Sequence, residues 1–378
     1  MKMVNSKVQG VGNTINENRS VYIHIPFCKT ICSYCDFCKV FYYEKWADLY
    51  LDELEEEIKK KYQGDKVKSI YIGGGTPNSL SISQLEKLFS ILSVFKGEDL
   101  EYTIECNIEL LTEEQLVLFK KNGINRISIG IETFDEEILN FLNRRYKKDE
   151  VIDKINICKT YISNINIDLI YALPNQKIID LENDLRIYLE LDVPHISIYS
   201  LIIEPHTKLY NEGFEYIDDE LDYEMYKIIN KYLKDYHHYE ISNFAKPGYE
   251  SRHNLTYWNN DEYYGFGLGA SGYVDNVRYE NTKNINKYLN GNYVQESHVL
   301  SFNENIENAF ILGFRKINGI NKERFLKKYG IDIKNNIVIN LIEERKLIDD
   351  GNYIFINPKY IYTENDILIN FIGGNYEK

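Results

Sequence analysis

No stretch of this 378-residue chain approaches the roughly 20 consecutive apolar residues that a membrane-spanning helix needs. The N-terminal MKMVNSKVQGVGNTINENRS has no apolar core of the kind a secretory signal carries, so a cytosolic protein without a membrane span is expected. An excess of positive charge is missing too. Lys and Arg number 44 against 58 Asp and Glu, a formal net charge of -14, which makes nucleic acid a poor partner. Cysteine is scarce: six in the whole chain are too few for a disulfide scaffold. Solenoid repeats and low-complexity tracts are also absent, and the 33 tyrosines are spread along the chain. What is present is 44% hydrophobic residues, enough for the core of one large domain and a small one.

Short β-branched runs recur through the first two thirds: VYIHI (21–25), SIYIGG (69–74), YTIECN (102–107), RISIGIE (126–132), INIDLIY (165–171) and HISIYSL (195–201). Between them, segments such as KWADLYLDELEEEIKKKY (45–62) and TEEQLVLFKK carry helical periodicity. This alternation predicts an α/β fold of parallel βαβ units wound into a barrel or part of one. The strand ends carry residues that a packed core would not choose. The cysteine loop follows the first, Gly73 to Gly75 the second, Glu105 and Asn107 close the third, Glu132 the fourth, Asp168 falls in the fifth, and Ser200 lies near the end of the sixth. In a parallel barrel these ends share one face, so a single site is expected there.

Beyond residue 205 the pattern weakens. EYYGFGLGASGYV (262–274) has too many glycines for a helix and predicts a segment that wraps the barrel's open side. From about 303 the chain reads as helices and then a short hairpin. The expected organisation is a tail over 1–19, a partial (β/α)6 TIM-type barrel over 20–245, an aromatic- and glycine-rich connecting segment over 246–300, and a small α+β, winged-helix-like domain over 301–378.

Four of the cysteines, Cys28, Cys32, Cys35 and Cys38, fall within eleven residues. The CxxxCxxC spacing of the first three brings three thiolates into one short loop, as a [4Fe-4S] cube needs if three irons are anchored and the fourth left open. A structural zinc site is the alternative, although zinc ordinarily draws on paired CxxC or on histidines elsewhere. Cys106 and Cys158 sit in apolar-patterned segments and read as buried free thiols.

The run YIHIPFCKTICSYCDF (22–37) resembles the signature of radical-SAM proteins in the group of oxygen-independent coproporphyrinogen III oxidase and the related HemW-type heme chaperones. The likeness extends from about residue 20 to the C-terminus. It implies a [4Fe-4S] cluster on Cys28, Cys32 and Cys35 with S-adenosylmethionine (SAM) on the open iron, Tyr34 near the adenine and Tyr22 beside the bound SAM. IGGGTPN resembles the family's GGGTP element, which implies that Gly74, Gly75 and Thr76 contact the methionyl part. TIECN resembles TIEAN and places Glu105 in the SAM site. NRISIGIETF resembles NRISIGVQSF with Glu132 for glutamine and Thr133 for serine, implying a ribose contact with an added charge. LNRRY resembles LGRxH and implies that Arg144 pairs with SAM's carboxylate; Asn143 replaces glycine, Tyr146 replaces histidine, and Arg145 is the competing neighbour. INIDLIYALP matches a SAM-site aspartate at Asp168, whose alternative role is a strand-end cap. Ile202 falls where the family's backbone lines the adenine pocket. Cys38 comes three residues after Cys35, whereas the oxidase-type loop has its fourth cysteine two after, so Cys38 is expected to be no ligand.

HNLTYW (253–258) resembles the HNxxYW motif of the heme-chaperone branch rather than the HRNFQGYTT-type element of the decarboxylating oxidase. An imidazole at His253 could ligate heme iron while Tyr257 and Trp258 offer flat apolar faces; the other reading is a structural turn packed on the barrel. The resemblance therefore implies a SAM-cleaving core in a chaperone whose cargo is heme, whose recipient is a respiratory apoprotein, and which acts as monomer or homodimer. The alternative is the oxidase itself, carrying out oxidative decarboxylation of coproporphyrinogen III. The roughly twenty residues before the first strand are shorter than the arm that helps cover the oxidase's substrate, which disfavours it. A third reading is an iron-sulfur electron carrier using all four clustered cysteines.

Overall fold

The structure, a computed structural model, describes residues 18–376. All six expected strands form: β1 (Arg19–Ile25), β2 (Val67–Gly74), β3 (Glu101–Asn107), β4 (Arg126–Glu132), β5 (Asn164–Tyr171) and β6 (His195–Ser200). They pair in chain order, all parallel, and make the middle of a 12-stranded sheet. The crossovers carry α1 (Glu44–Lys61), α2 (Ile82–Leu92), α3 (Glu113–Lys121), α4 (Glu136–Phe141), α5 (Lys148–Tyr161) and α6 (Ile178–Glu190). Local signals fix their starts: Ser81 with Gln84 and Thr112 with Gln115 form capping boxes that open α2 and α3. This is the partial TIM-type barrel that the alternation predicts.

Strand side chains alternate between two buried environments. Ile23, Ile72, Ile104, Ile129 and Ile167 join helix residues such as Leu51, Leu54, Leu85 and Leu88 in one apolar cluster. The alternate positions are polar and face a cavity instead. Register aligns them in tiers: Glu105 pairs with Ser128, Ser128 with Asn166, and Asn166 with His195. One tier nearer the mouth, Asn107 pairs with Gly130, Gly130 with Asp168, and Asp168 with Ser197. The interior is thus a polar chamber rather than a hydrophobic fill.

The sheet continues at both edges. Beyond β6, and reached through α7 (Asp219–Tyr232), lie the antiparallel β8 (Asn243–Ala245) and β7 (His237–Glu240), after which comes α8 (Arg252–Trp258). Beyond β1 lies β9 (Tyr263–Phe266), parallel to it, then an antiparallel run of β10 (Ser271–Val274), β11 (Val277–Asn281) and β12 (Val294–Val299). The segment expected to wrap the open side therefore lengthens the sheet at its β1 edge. Helix α1 anchors this return. Glu57, fully buried, accepts from the Gly267 N–H, Asn281, Lys61 and the Tyr288 hydroxyl. Tyr50 donates to the His24 carbonyl and accepts from the Leu268 N–H.

Residues 18–256 and 261–299 form one compact unit, and residues 257–260 with 300–376 belong to a second. The second unit has α9 (Phe302–Gly313), β13 (Ile320–Asn321), α10 (Lys322–Tyr329), α11 (Asn336–Glu343) and the hairpin of β14 (Leu347–Asp349) with β15 (Tyr353–Ile356), to which β13 pairs. That is winged-helix order. Phe310 stacks on Phe371 and Phe314 at its centre. Among the described residues no helix is long and apolar enough to cross a membrane.

Candidate functional site

A cavity of about 460 Å³ opens at the carboxyl ends of the parallel strands. Cys28, Cys32 and Cys35 border it, and so do Tyr34, Gly74, Gly75, Thr76, Glu105, Glu132, Arg144, Asp168 and Ile202. Twelve residues spread over nearly half the chain thus meet at one mouth, as parallel topology requires.

The cysteine loop is pinned along its length. At its start, the Gly75 and Thr76 N–H groups donate to the carbonyls of Ile25 and Phe27, and Val40 and Tyr42 bond back to Pro26 and Cys28. In its middle, Ser33 Oγ donates to the Phe141 carbonyl at 2.9 Å and Asn143 Nδ2 to that of Ile31 at 2.9 Å. At its end, His24 Nε2 meets the Cys38 carbonyl at 2.7 Å while Tyr22 bonds His24 Nδ1 at 2.9 Å. Burial holds His24 down to about 4, so it is neutral and serves as a strut. Tyr22 faces the barrel interior but is not among the cavity-lining residues; its hydroxyl is spent on His24.

Burial pushes the Cys28 thiol up to about 11, and the neighbouring Cys35 and Cys32 push the same way. Thr76 Oγ1 donates to Cys28 Sγ at 3.5 Å. Among the described residues, no three His, Cys, Asp or Glu side chains are gathered as a single metal ion would require. A [4Fe-4S] cube asks for something else, three thiols at separate corners around one space, and Cys28, Cys32 and Cys35 fit it. Binding there must displace the thiol protons. Cys38 does not border the cavity; its sulfur lies against Gly269, where an added Cβ would sit 2.9 Å from it.

The triple glycine is explained by approach. Gly74 has φ +116°, and a Cβ there would collide with the His24 ring at 2.6 Å. A Cβ on Gly73 would strike the Glu105 carboxylate at 2.8 Å. Glu105 itself accepts from the Tyr71 hydroxyl at 2.8 Å and the Gly74 N–H at 3.0 Å, and burial raises its pKa. Glu132 sits at a bulge with φ +67° and pairs with Arg144 Nη2 at 2.5 Å, while Tyr34 donates to the same oxygen at 2.9 Å. Asp168 accepts from Asn166 at 2.8 Å; burial, and then the negative charge of Glu132, push it up to about 7. Ile202, 61% exposed, forms part of the rim.

The departures from the family's arginine element find physical reasons. Asn143 has φ +61°, a conformation asparagine tolerates where glycine is the usual choice, and it adds the bond to Ile31. Tyr146 donates to the carbonyls of Ile131 and Thr133, bracing the turn after β4. Arg144 is buried in the cavity wall and Arg145 is exposed, which separates the two arginines.

His253 lies elsewhere than an iron ligand would. It belongs to α8 (Arg252–Trp258) and bonds Ser69 near the start of β2, at the end of the barrel opposite the mouth. The ring is 1% exposed and stacks on Tyr71 at 5.0 Å, and burial lowers its pKa to about 3. A heme iron would reach a ring enclosed on these sides only if α8 moved aside. The packed-turn reading matches its surroundings.

Sequence reasoning passed over Tyr71, Asn166 and Arg126, all of which border the cavity. Their signal was the strand period itself, since Arg126 continues the inward series of Ser128, Gly130 and Glu132.

Residues 22–187 match the profile of the radical SAM superfamily. The chain is 38% identical to the heme chaperone HemW of Bacillus subtilis (strain 168), over 94% of this chain and 99% of that protein. It is 36% identical to the heme chaperone HemW of Lactococcus lactis subsp. lactis (strain IL1403), over 95% and 98%. The fold is similar to that of coproporphyrinogen III oxidase (HemN) from Escherichia coli, a radical SAM enzyme, with TM-score 0.83 and 21% identity over 95% of this chain and 91% of that one.

Proposed function

The chain belongs to the HemW family of heme chaperones in the radical SAM superfamily, and on that premise we propose that it holds a [4Fe-4S] cluster on Cys28, Cys32 and Cys35, binds SAM in the adjoining cavity, and carries heme to respiratory apoproteins. The observation that carries the cofactor half is the shared wall: three thiols and the SAM-type residues border one cavity while the fourth clustered cysteine turns to Gly269.

A cluster bound there supplies the electron for reductive cleavage of SAM. The chain's own residues position and shield. Gly74, Gly75 and Thr76 border the cavity on the side that takes the methionyl part. Glu105, already oriented by Tyr71 and Gly74, accepts from the ammonium group. Glu132, steadied by Tyr34 and Arg144, faces the ribose, and the Ile202 backbone edges the adenine. Arg144 keeps a buried Nε without a partner, a donor available to the SAM carboxylate. Asp168 gains its charge against the cationic ligand.

The heme half rests on the relatives, which are heme chaperones by name. Its test is anaerobic reconstitution followed by heme titration and a coproporphyrinogen assay on one sample. Stoichiometric heme uptake without vinyl product supports the chaperone. Conversion of coproporphyrinogen to protoporphyrinogen overturns it in favour of the oxidase. His253→Gln is included: unchanged heme uptake assigns His253 to packing, and lost uptake in a folded variant shows that α8 withdraws to expose it.

A further inference from the structure

We propose that the floor of the cavity is a carboxylate-binding subsite keyed by Arg126, a residue outside the SAM set described above. The proposal rests on the reading of this cavity as a SAM site and extends it to the chamber beneath.

Arg126 opens β4, at the end of the strand away from the mouth, yet its side chain lines the cavity. It is 2% exposed. Among the described residues no side-chain hydrogen bond or ion pair holds it, and its Nε is buried without a partner. The cavity's carboxylates take their hydrogen bonds from other groups, Glu132 from Arg144 and Tyr34, Glu105 from Tyr71 and the Gly74 N–H, and Asp168 from Asn166, so Arg126 acts on Glu105 by charge through space alone. The neighbouring rings offer no negative charge. His195 and His253 are held neutral by burial first and by the Arg126 charge second.

A guanidinium in this position is costly. An ionised group removed from water without a hydrogen-bonded counter-charge is strongly unfavourable, and arginine does not escape by losing its proton. A partner that the protein does not supply is therefore expected from a ligand. The planar fork matches a carboxylate with two parallel hydrogen bonds, and Ser128 and Asn254 on the same lining offer neutral donors, while Asn166 is committed to Ser128 and Asp168. Two sources share this chemistry: the methionyl carboxylate of SAM, taken by Arg126 in place of Arg144, and a propionate of a tetrapyrrole entering from the mouth.

The experiment titrates anaerobically reconstituted full-length protein with SAM and decarboxylated SAM, and with heme and heme dimethyl ester. Wild type, Arg126→Lys and Arg126→Met are compared. The ligand whose carboxylate reaches the floor binds wild type roughly tenfold to a hundredfold more tightly than its carboxylate-free counterpart. Arg126→Met erases that preference for that pair alone. Loss within the SAM pair identifies the methionyl source, and loss within the heme pair identifies a propionate. If both preferences persist in Arg126→Met, the subsite is overturned and Arg126 is an internal counter-charge to Glu105 and Asp168. Should Arg126→Met fail to fold, Arg126→Lys carries the same comparison, because a single ammonium loses the fork. A wild type that binds neither SAM nor heme sinks the cavity reading and this subsite together; binding with unaltered preferences sinks the subsite alone.

Discussion

Inside the barrel the carboxyl of Asp168 is held at about 7, against an ordinary 3.8, because its place in the cavity wall disfavours its charge and it faces the charge of Glu132. The folded protein thus keeps a proton that the unfolded chain releases. The associated stability is complete below the unfolded value and is lost as pH rises through the folded one. Asp168→Asn has no such term, so its stability relative to wild type should improve between about pH 4 and 7, by on the order of 4 kcal/mol at most. Urea unfolding of the cofactor-free protein across that range reads it, and a flat difference would refute it. The same titration makes SAM, a cation, bind more tightly to wild type as pH rises through 7, and Asp168→Asn should flatten that rise. Asn143 supplies a second test. Asn143→Ala forces a Cβ-bearing residue without the amide into φ +61° and removes the bond to Ile31. The expected cost is about 1 to 2 kcal/mol by thermal or urea unfolding, with Asn143→Gly closer to wild type.

At the scale of elements, the loop after β1 was the most legible part of the chain, because three thiols in eight residues admit few chemistries. The orientation of Cys38 was not legible in the same way. It depends on Gly269 and on the His24 strut, which come from distant and adjacent sequence respectively. Cys38→Ser should retain the iron and sulfide content of wild type and its SAM-induced change in the electron paramagnetic resonance spectrum. Ser at Cys28, Cys32 or Cys35 should lose both. A SAM-blind cluster in Cys38→Ser would refute the three-ligand assignment. Helix α8 teaches the reverse lesson. Its HNxxYW pattern advertised an iron ligand, but the residue facing His253 across space is Ser69, invisible to local pattern. Likewise β9 is four residues long and contains Gly265, so it reads as loop; only pairing with β1 makes it a strand.

The molecule as a whole is closed on itself by contacts of long sequence separation. Glu57 ties α1 to Gly267, Asn281 and Tyr288, more than 200 residues away, and is fully buried. Glu57→Ala leaves Lys61 and three donors without their acceptor. It should lower the unfolding free energy by about 3 kcal/mol or more, as a shift in urea midpoint, since breaking one side of a buried charged network strands the other. Because Tyr50 on the same helix holds the His24 carbonyl, the variant should also reconstitute cluster less completely at elevated temperature. A loss confined to stability, with cluster content unaffected up to unfolding, would separate the sheet's edge from the site.

Local signals along the chain set the architecture and most of the cavity wall. Strand period and helix caps act locally, and parallel winding then carries every strand end to one mouth, so Glu105, Glu132 and Asp168 converge once the alternation is read. Contacts across the fold settle which buried polar groups are left wanting. Whether Arg126 finds a partner, whether His253 meets solvent, and whether Cys38 faces the cavity depend on neighbours that arrive from far along the chain, and pairing across space has no local signature in sequence.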